Sequence, residues 1–196
     1  SVAGDVIPEY VSSLGHYKRD VIGRYSMDLA NAGAGKTLLN REWVNSRGLI
    51  FRFDRRALEV RVIDEQECVR SDVALACFIR ATLRGLIADK SELLPHAALV
   101  KDFNAVIKDG LYAKVSSSHG KTARQVCQHY LKVAMAYADA DEKKYLPLVK
   151  RRIEEGNLSE LILNRVERRA EKNNFREAVI DIYSTLIKSL RNNEPF

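Results

Sequence analysis

The chain has 196 residues, 46% of them hydrophobic and 30% charged, which supplies a core and excludes a disordered polymer. Lys and Arg outnumber Asp and Glu 32 to 26, and the resulting +6 suits anionic ligands, nucleic acid or a solvated surface without selecting among them. Three cysteines with no CxxC spacing argue against a disulfide framework or a structural zinc, and point to a reducing, cytoplasmic setting.

No apolar run is long enough for a membrane span, and no signal peptide is visible. The chain begins at Ser1 rather than Met, as expected of a piece excised from a longer protein. Residues 9–32 read as helix with mixed periodicity. A breaker, NAGAGKT, follows at 31–37. The lead-in therefore runs over residues 1–44, a β-hairpin occupies 45–68, and 69–196 is helical.

The hairpin is LIFRFDRRALEVRVIDEQE, Leu49 to Glu67. Alternation puts Leu49, Phe51, Phe53, Leu58, Val60 and Val62 on one face. A four-residue loop, Asp54 to Ala57, sets Phe53 opposite Leu58, Phe51 opposite Val60 and Leu49 opposite Val62. On the other face Arg52 then lies opposite Glu59, and Ile50 opposite Arg61. An ionic sheet face has two explanations: a solvated ion pair on a surface hairpin, or a site. A lone hairpin is also marginal and leaves two edges open, so further strands are expected from a second copy or from the rest of a longer protein.

Beyond the hairpin, Ser71 or Asp72 caps a helix reaching Ala88. Its all-round apolar run Val73–Ile79 predicts burial. Pro95 opens a helix with the stripe Leu99, Phe103, Val106 and Ile107, and Gly110 stops it. Thr122 opens the next. Pro147 starts another that ends at Gly156. Asn157 with Glu160 resembles a capping box. Phe175, Val179, Ile182, Leu186 and Leu190 form the stripe of the last helix. The expected fold class is α+β and mostly helical, with an antiparallel hairpin, part of a larger curved sheet, packed against a multi-helix layer.

Most short motifs have bland explanations. Gly35-Lys36-Thr37 lacks the earlier glycine of a phosphate loop, since Ala30 stands there. The four histidines are scattered without metal-ligand spacing. Arg151-Arg152 and Arg168-Arg169 read as solvated helix faces. A nucleic-acid stripe would require them to line up with other basic residues. The acidic residues Glu59, Asp64, Glu65 and Glu67 beside Arg47, Arg52 and Arg61 are more pointed. Strand-end carboxylates suit Mg²⁺, with Asp64 and Glu67 as weak candidates, and arginines clamp carboxylates or phosphates.

The run NSRGLIFRFDRRALEVRVIDEQECVRSDVALACFIRATLRGLI, Asn45 to Ile87, resembles the C-terminal half of family-2 glutamate–cysteine ligases. These are carboxylate–amine ligases related to glutamine synthetase. GLYAKVSSSHGKTARQVCQHYLKVA, Gly110 to Ala134, and RRIEEGNLSELIL, Arg151 to Leu163, are similar to the family's later helical part. Glu65 stands where Thr is usual and Val69 where Pro is usual.

The resemblance implies an ATP- and Mg²⁺-dependent enzyme. It would phosphorylate the γ-carboxylate of glutamate and pass it to an amine such as cysteine. It also implies a curved antiparallel sheet with the site on its concave face. Arg47 and Arg61 are then candidates for binding phosphate or substrate carboxylate, with Arg52 and Glu59 orienting them. The main ATP and metal carboxylates would belong to an N-terminal half that is a partner of this chain, leaving the isolated piece inactive. Self-association through open sheet edges is also expected. The competing readings are a non-enzymatic helical interaction or dimerisation module and a basic nucleic-acid binder. The latter is disfavoured because the chain has no nucleic-acid motif and its aromatics lie on core stripes, so the expected partners are amino-acid substrates, with no nucleic acid and no membrane.

Overall fold

A computed structural model describes residues 4–39, 44–172 and 174–196. The chain divides into two compact units, Ser1–Asp64 and Glu65–Phe196.

In the first unit an extended segment leads into a continuous helical stretch. It comprises α1 (Leu14–His16), a π-helical part (Tyr17–Ile22) and α2 (Gly23–Asn31). Tyr17, Val21 and Tyr25 repeat every four residues, and all three are buried. The expected breaker ends α2 at Asn31 and turns at Gly33, with φ 86°, into a short helix, α3 (Lys36–Leu39).

The hairpin follows as β1 (Leu49–Arg52) and β2 (Ala57–Val60). Its register differs by two residues from that read in the sequence. Leu49 pairs with Val60, Ile50 with Glu59, Phe51 with Leu58 and Arg52 with Ala57. The turn explains the slip. The Arg55 N–H donates to the Arg52 carbonyl at 3.2 Å, and Arg56 takes a left-handed φ of 50°. The loop is therefore Phe53–Arg56, which lets the Phe53 ring leave the ladder. It lies 6.1 Å from the Tyr17 ring, stacked on Phe51 at 6.3 Å, with the Lys18 ammonium 4.6 Å from its centroid. A slip of two preserves the faces, whereas a slip of one would exchange them.

The apolar face is used unevenly. Phe51 and Phe53 pack on the Tyr17 cluster, while Leu58 and Val62 stay 50% and 53% exposed. Ile50, on the ionic face, is the best-buried strand residue at 1%. Among the described residues no larger curved sheet forms: the molecule has two separate two-stranded sheets. The hairpin is supported by helix packing and by a backbone bond from the Gly48 N–H to the Val6 carbonyl at 2.7 Å.

The second unit is helical apart from one small hairpin. It begins with α4 (Val69–Ala88), which starts two residues before Ser71, with Cys68 at the cap position. Ser71 instead donates to Glu67 at 2.9 Å, and Asp72 accepts from the Gln66 N–H. Only the small positions Ser71, Ala74, Ala81 and Gly85 of α4 are fully buried, so the all-round burial expected for Val73–Ile79 does not occur. Small residues let neighbouring helices approach closely.

Then come α5 (His96–Asp109) and a hairpin of β3 (Lys114–Val115) and β4 (Lys121–Thr122) that the sequence reading missed. Next are α6 (Ala123–Tyr137), α7 (Ala140–Lys143), α8 (Leu146–Glu155), α9 (Leu158–Ala170) and α10 (Phe175–Asn192). α4, α6 and α8 share the core of Ala74, Ala81, Ala134, Leu146, Val149 and Ile153. The capping box read at Asn157 opens α9, Thr122 opens α6 as expected and does so through a capping box, and a further one opens α7 at Asp139. Glu142, buried in α7, forms ion pairs with Arg84 and Arg80 of α4. No helix among the described residues is long and apolar enough to cross a membrane.

Two tests follow from this packing. A Cβ on Gly85 would press on Val133 and come within 2.9 Å of the Tyr137 ring. Gly85→Ala should therefore lower the unfolding free energy by about 1–3 kcal/mol, despite a helix preference that favours alanine by roughly 0.5–1 kcal/mol. Chemical denaturation of the variant checks the sign.

Asp102 accepts from the Ser116 N–H and hydroxyl at 2.6 and 2.7 Å, and from the Ser117 N–H at 2.9 Å. Burial pushes its carboxyl up, but the Ser117 and Ser116 hydrogen bonds outweigh it and hold the pKa at about 2. Its stabilising effect should be complete above the ordinary value of 3.8 and fade as pH falls toward about 2. Asp102→Asn should be less stable than wild type at pH 7, with the difference shrinking below pH 3.8 in acid-unfolding curves.

Candidate functional site

The ionic face of the hairpin is built around Glu59. Its Oε1 accepts from Arg61 Nε at 2.7 Å and its Oε2 from Arg52 Nη1 at 2.7 Å. Arg61 first, then Arg52, hold the Glu59 carboxyl below the usual carboxylate range. Because Glu59 pairs in the ladder with Ile50, the Arg52 contact is diagonal rather than directly across the sheet. Arg52 also reaches Asp54 at 3.4 Å. Arg61 Nη1 donates to the Asn45 carbonyl at 2.5 Å, and the Arg61 N–H continues the ladder to the Gly48 carbonyl at 2.7 Å. Arg61 therefore spends Nε and Nη1 within the protein.

Arg47 is set differently. Its side chain is 7% exposed, and its guanidinium forks onto Glu9, with Nε–Oε2 at 2.5 Å and Nη2–Oε1 at 2.6 Å. Asn45 Oδ1 accepts from both the Arg47 N–H and Nη1 at 3.2 Å, while Asn45 Nδ2 donates to the Tyr17 hydroxyl at 2.9 Å. Gly4, at φ 98°, lies directly against the guanidinium, where any Cβ would collide with it. Arg47 and Glu9 border a polar cleft of about 170 Å³ with Asp5, Arg24, Tyr25 and Asp28.

Arg47, Arg52, Glu59 and Arg61 thus share the first unit, and Arg52, Glu59 and Arg61 form one network. Glu67 belongs to the second unit, where its side chain is 0% exposed. Its Oε1 accepts from Arg152 Nη2 at 2.5 Å, the Ser71 hydroxyl at 2.9 Å and the Phe196 N–H at 3.0 Å. Burial pushes this carboxyl up, but the Phe196 N–H, Arg152 and Ser71 bring it below its ordinary value. Among the described residues no group of three or more His, Cys, Asp or Glu is placed to hold a metal ion.

A profile of glutamate-cysteine ligase family 2 matches residues 3–183. The chain belongs to that family. A protein from Archaeoglobus fulgidus described as uncharacterized is 39% identical over 195 residues, covering 100% of this chain and 48% of the relative. The chain thus spans about half the length of this relative. No solved structure matches.

Against this ligase family, the sequence reading singled out the hairpin arginines but missed the residues that hold them. Asn45 stands in the Asn-Ser-Arg-Gly run that prompted the resemblance, yet nothing marked it as the acceptor for Arg47 or its carbonyl as the acceptor for Arg61. Glu9 lies 38 positions from Arg47, and no local pattern ties them.

Removing Glu9 would take a bidentate carboxylate away from a buried guanidinium. Glu9 itself is half exposed, which reduces the penalty. Glu9→Ala should cost roughly 1–3 kcal/mol of stability, whereas Arg47→Met with Glu9→Ala should cost less than the sum of the two single changes. Urea unfolding of the three variants gives the coupling.

Proposed function

We propose that this chain is the C-terminal portion of an ATP-dependent carboxylate–amine ligase. The longer protein would join the γ-carboxylate of glutamate to an amine such as cysteine through an acyl phosphate. The observation that carries this reading is the family match over residues 3–183, which includes the whole ionic hairpin. In the proposal, Arg61 and Arg52 meet a substrate carboxylate or phosphate. Glu59 fixes both side chains through its two oxygens, so their cost of ordering is met before a ligand arrives. Arg61 keeps its Nη2 donors for the anion, because Nε and Nη1 are engaged elsewhere. Arg47 acts at one remove: it orders Asn45, whose carbonyl orients Arg61.

ATP, when bound, supplies the phosphoryl group and Mg²⁺ screens its charge. The residues described here do not by themselves fit a Mg²⁺ site, since both Glu59 oxygens are held by arginines and no carboxylate cluster is present among them. The part proposed for this chain is anion recognition, with metal ligands supplied by the remainder of the protein, and the isolated chain inactive. A cytoplasmic protein that self-associates agrees with this reading.

A second reading, a helical interaction module, has one observation in its favour. Ile180, Tyr183, Ile187 and Leu190 of α10 are each more than half exposed and recur at three- and four-residue intervals.

The two readings part in one assay. ADP release is measured from the full-length parent with glutamate, Mg²⁺, ATP and a panel of amines, beside Arg61→Ala. The ligase reading expects amine-dependent turnover that falls about 100-fold or more in the variant. Undiminished turnover in Arg61→Ala, or no turnover with any amine from a folded parent, counts against it. Turnover by the isolated chain would contradict the division of labour.

A further inference from the structure

α9 carries its charges on two sides. At about 100° per residue, Arg165, Arg168 and Arg169 of α9 fall within one sector of roughly 100°, with Lys172 in the turn just beyond the helix, while Glu160 and Glu167 lie on the other side and Glu171 is the C-cap. Solvated helices ordinarily intersperse the signs so that i,i+4 pairs attract. Within α9 the i,i+4 pair Arg165–Arg169 is of like charge, which opposes helix formation, and Arg168–Lys172 repeats the sign just past the helix end. None of the four cations forms an ion pair with a carboxylate of its own helix.

The basic side is concave. Arg165, Arg168, Arg169 and Lys172 line a groove of about 390 Å³ closed by Asp181 and Thr185 of α10. The one carboxylate there is already taken, since Asp181 Oδ2 accepts from Arg169 Nε at 3.0 Å and Nη2 at 2.8 Å. Thr185 donates to the Asp181 carbonyl at 3.0 Å, so its oxygen keeps acceptor capacity only. Arg165 lies over the Phe196 ring at 3.7 Å. Burial, and then the like charges of Arg151 and Arg152, lower the pKa of Arg165. Among the described residues Arg165, Arg168 and Lys172 form no ion pair, and the groove's one carboxylate, Asp181, is engaged by Arg169.

We propose that the α9–α10 groove is a binding site for a condensed phosphate, a di- or triphosphate group held by Arg165, Arg168 and Lys172. The groove is shallow and confined to seven residues of α9, its following turn and α10, an extent that suits a compact anion rather than an extended nucleic-acid track. Arg165, Arg168 and Lys172 line the same groove, and their long side chains can converge on one multiply charged anion from its different sides. Arg169, fixed by Asp181, forms the rigid wall. The inference stands apart from the ligase reading, because it uses none of the hairpin residues.

The test is calorimetric titration of the full chain with inorganic tripolyphosphate, without metal, at low and moderate salt. Comparison ligands are a nucleoside triphosphate and a short single-stranded RNA. Variants are Arg168→Ser with Lys172→Ser, and Lys188→Ser as an exposed cation of α10 outside the groove lining. The expected result is saturable binding that weakens at least tenfold in the double variant, equivalent to about 1.4 kcal/mol, and stays unchanged in Lys188→Ser. Equal binding of both triphosphates assigns recognition to the phosphates, and tighter binding of the nucleoside form adds a base contact to the same site. Absence of saturable tripolyphosphate binding, equal weakening in the Lys188→Ser control, or RNA bound more tightly than tripolyphosphate would overturn the proposal. Circular dichroism confirms that each variant is folded.

Discussion

A guanidinium taken out of water must be given a carboxylate, and the first unit is arranged around that requirement at Arg47. Meeting it through Glu9 ties the lead-in segment to the entry of the hairpin. The same guanidinium holds Asn45, which in turn engages Tyr17 through its amide and Arg61 through its carbonyl. Tyr17 is also the ring on which Phe51 stands edge-on at 4.7 Å. One charge pair thus connects the lead-in, the helix beneath the hairpin, and the ionic network above it. A two-stranded sheet with so little of its own cohesion needs such external ties.

The second unit uses carboxylates in another way. Glu67, Asp102 and Glu142 are all buried, and each is surrounded by donors at a junction between elements. Glu67 gathers Ser71, Arg152 and the Phe196 N–H, so α4, α8 and the segment after α10 meet at one oxygen. Asp102 of α5 closes the turn that joins β3 to β4. Arg124 plays the complementary role, donating to the Ile153 and Glu154 carbonyls at the end of α8. These polar junctions set the order in which short helices pack around a core made largely of alanine and a few aliphatic residues.

Much of this was legible in the residues, and the reasons for the failures are physical. Helix starts at Thr122 and Asn157 are written locally, because a capping box needs only four consecutive residues. The two faces of the hairpin were legible from alternation, but the register was not. The turn was chosen by where the Phe53 ring could pack, a tertiary preference no loop pattern contains. Val73–Ile79 looked buried because periodicity reports apolar character rather than which side is covered, and α4 packs through its small residues instead. The β3–β4 hairpin has two residues per strand, too short for any periodic signal. Among the candidate site residues, Glu67 looked like a continuation of the hairpin cluster, yet it serves as the junction of a different unit.

The central claim is that Arg61, oriented by Glu59 and by the Asn45 carbonyl, meets the anion on which the longer ligase-family protein acts. The most direct measurement is arginine side-chain NMR of the full-length parent, following the Nε–Hε resonances of Arg52, Arg61 and the exposed Arg176. The account predicts that saturating glutamate with ATP and Mg²⁺ displaces the Arg61 resonance and slows its proton exchange, with a smaller change at Arg52 and none at Arg176. An Arg61 resonance that stays fixed while ligand binding is demonstrated on the same sample would contradict it.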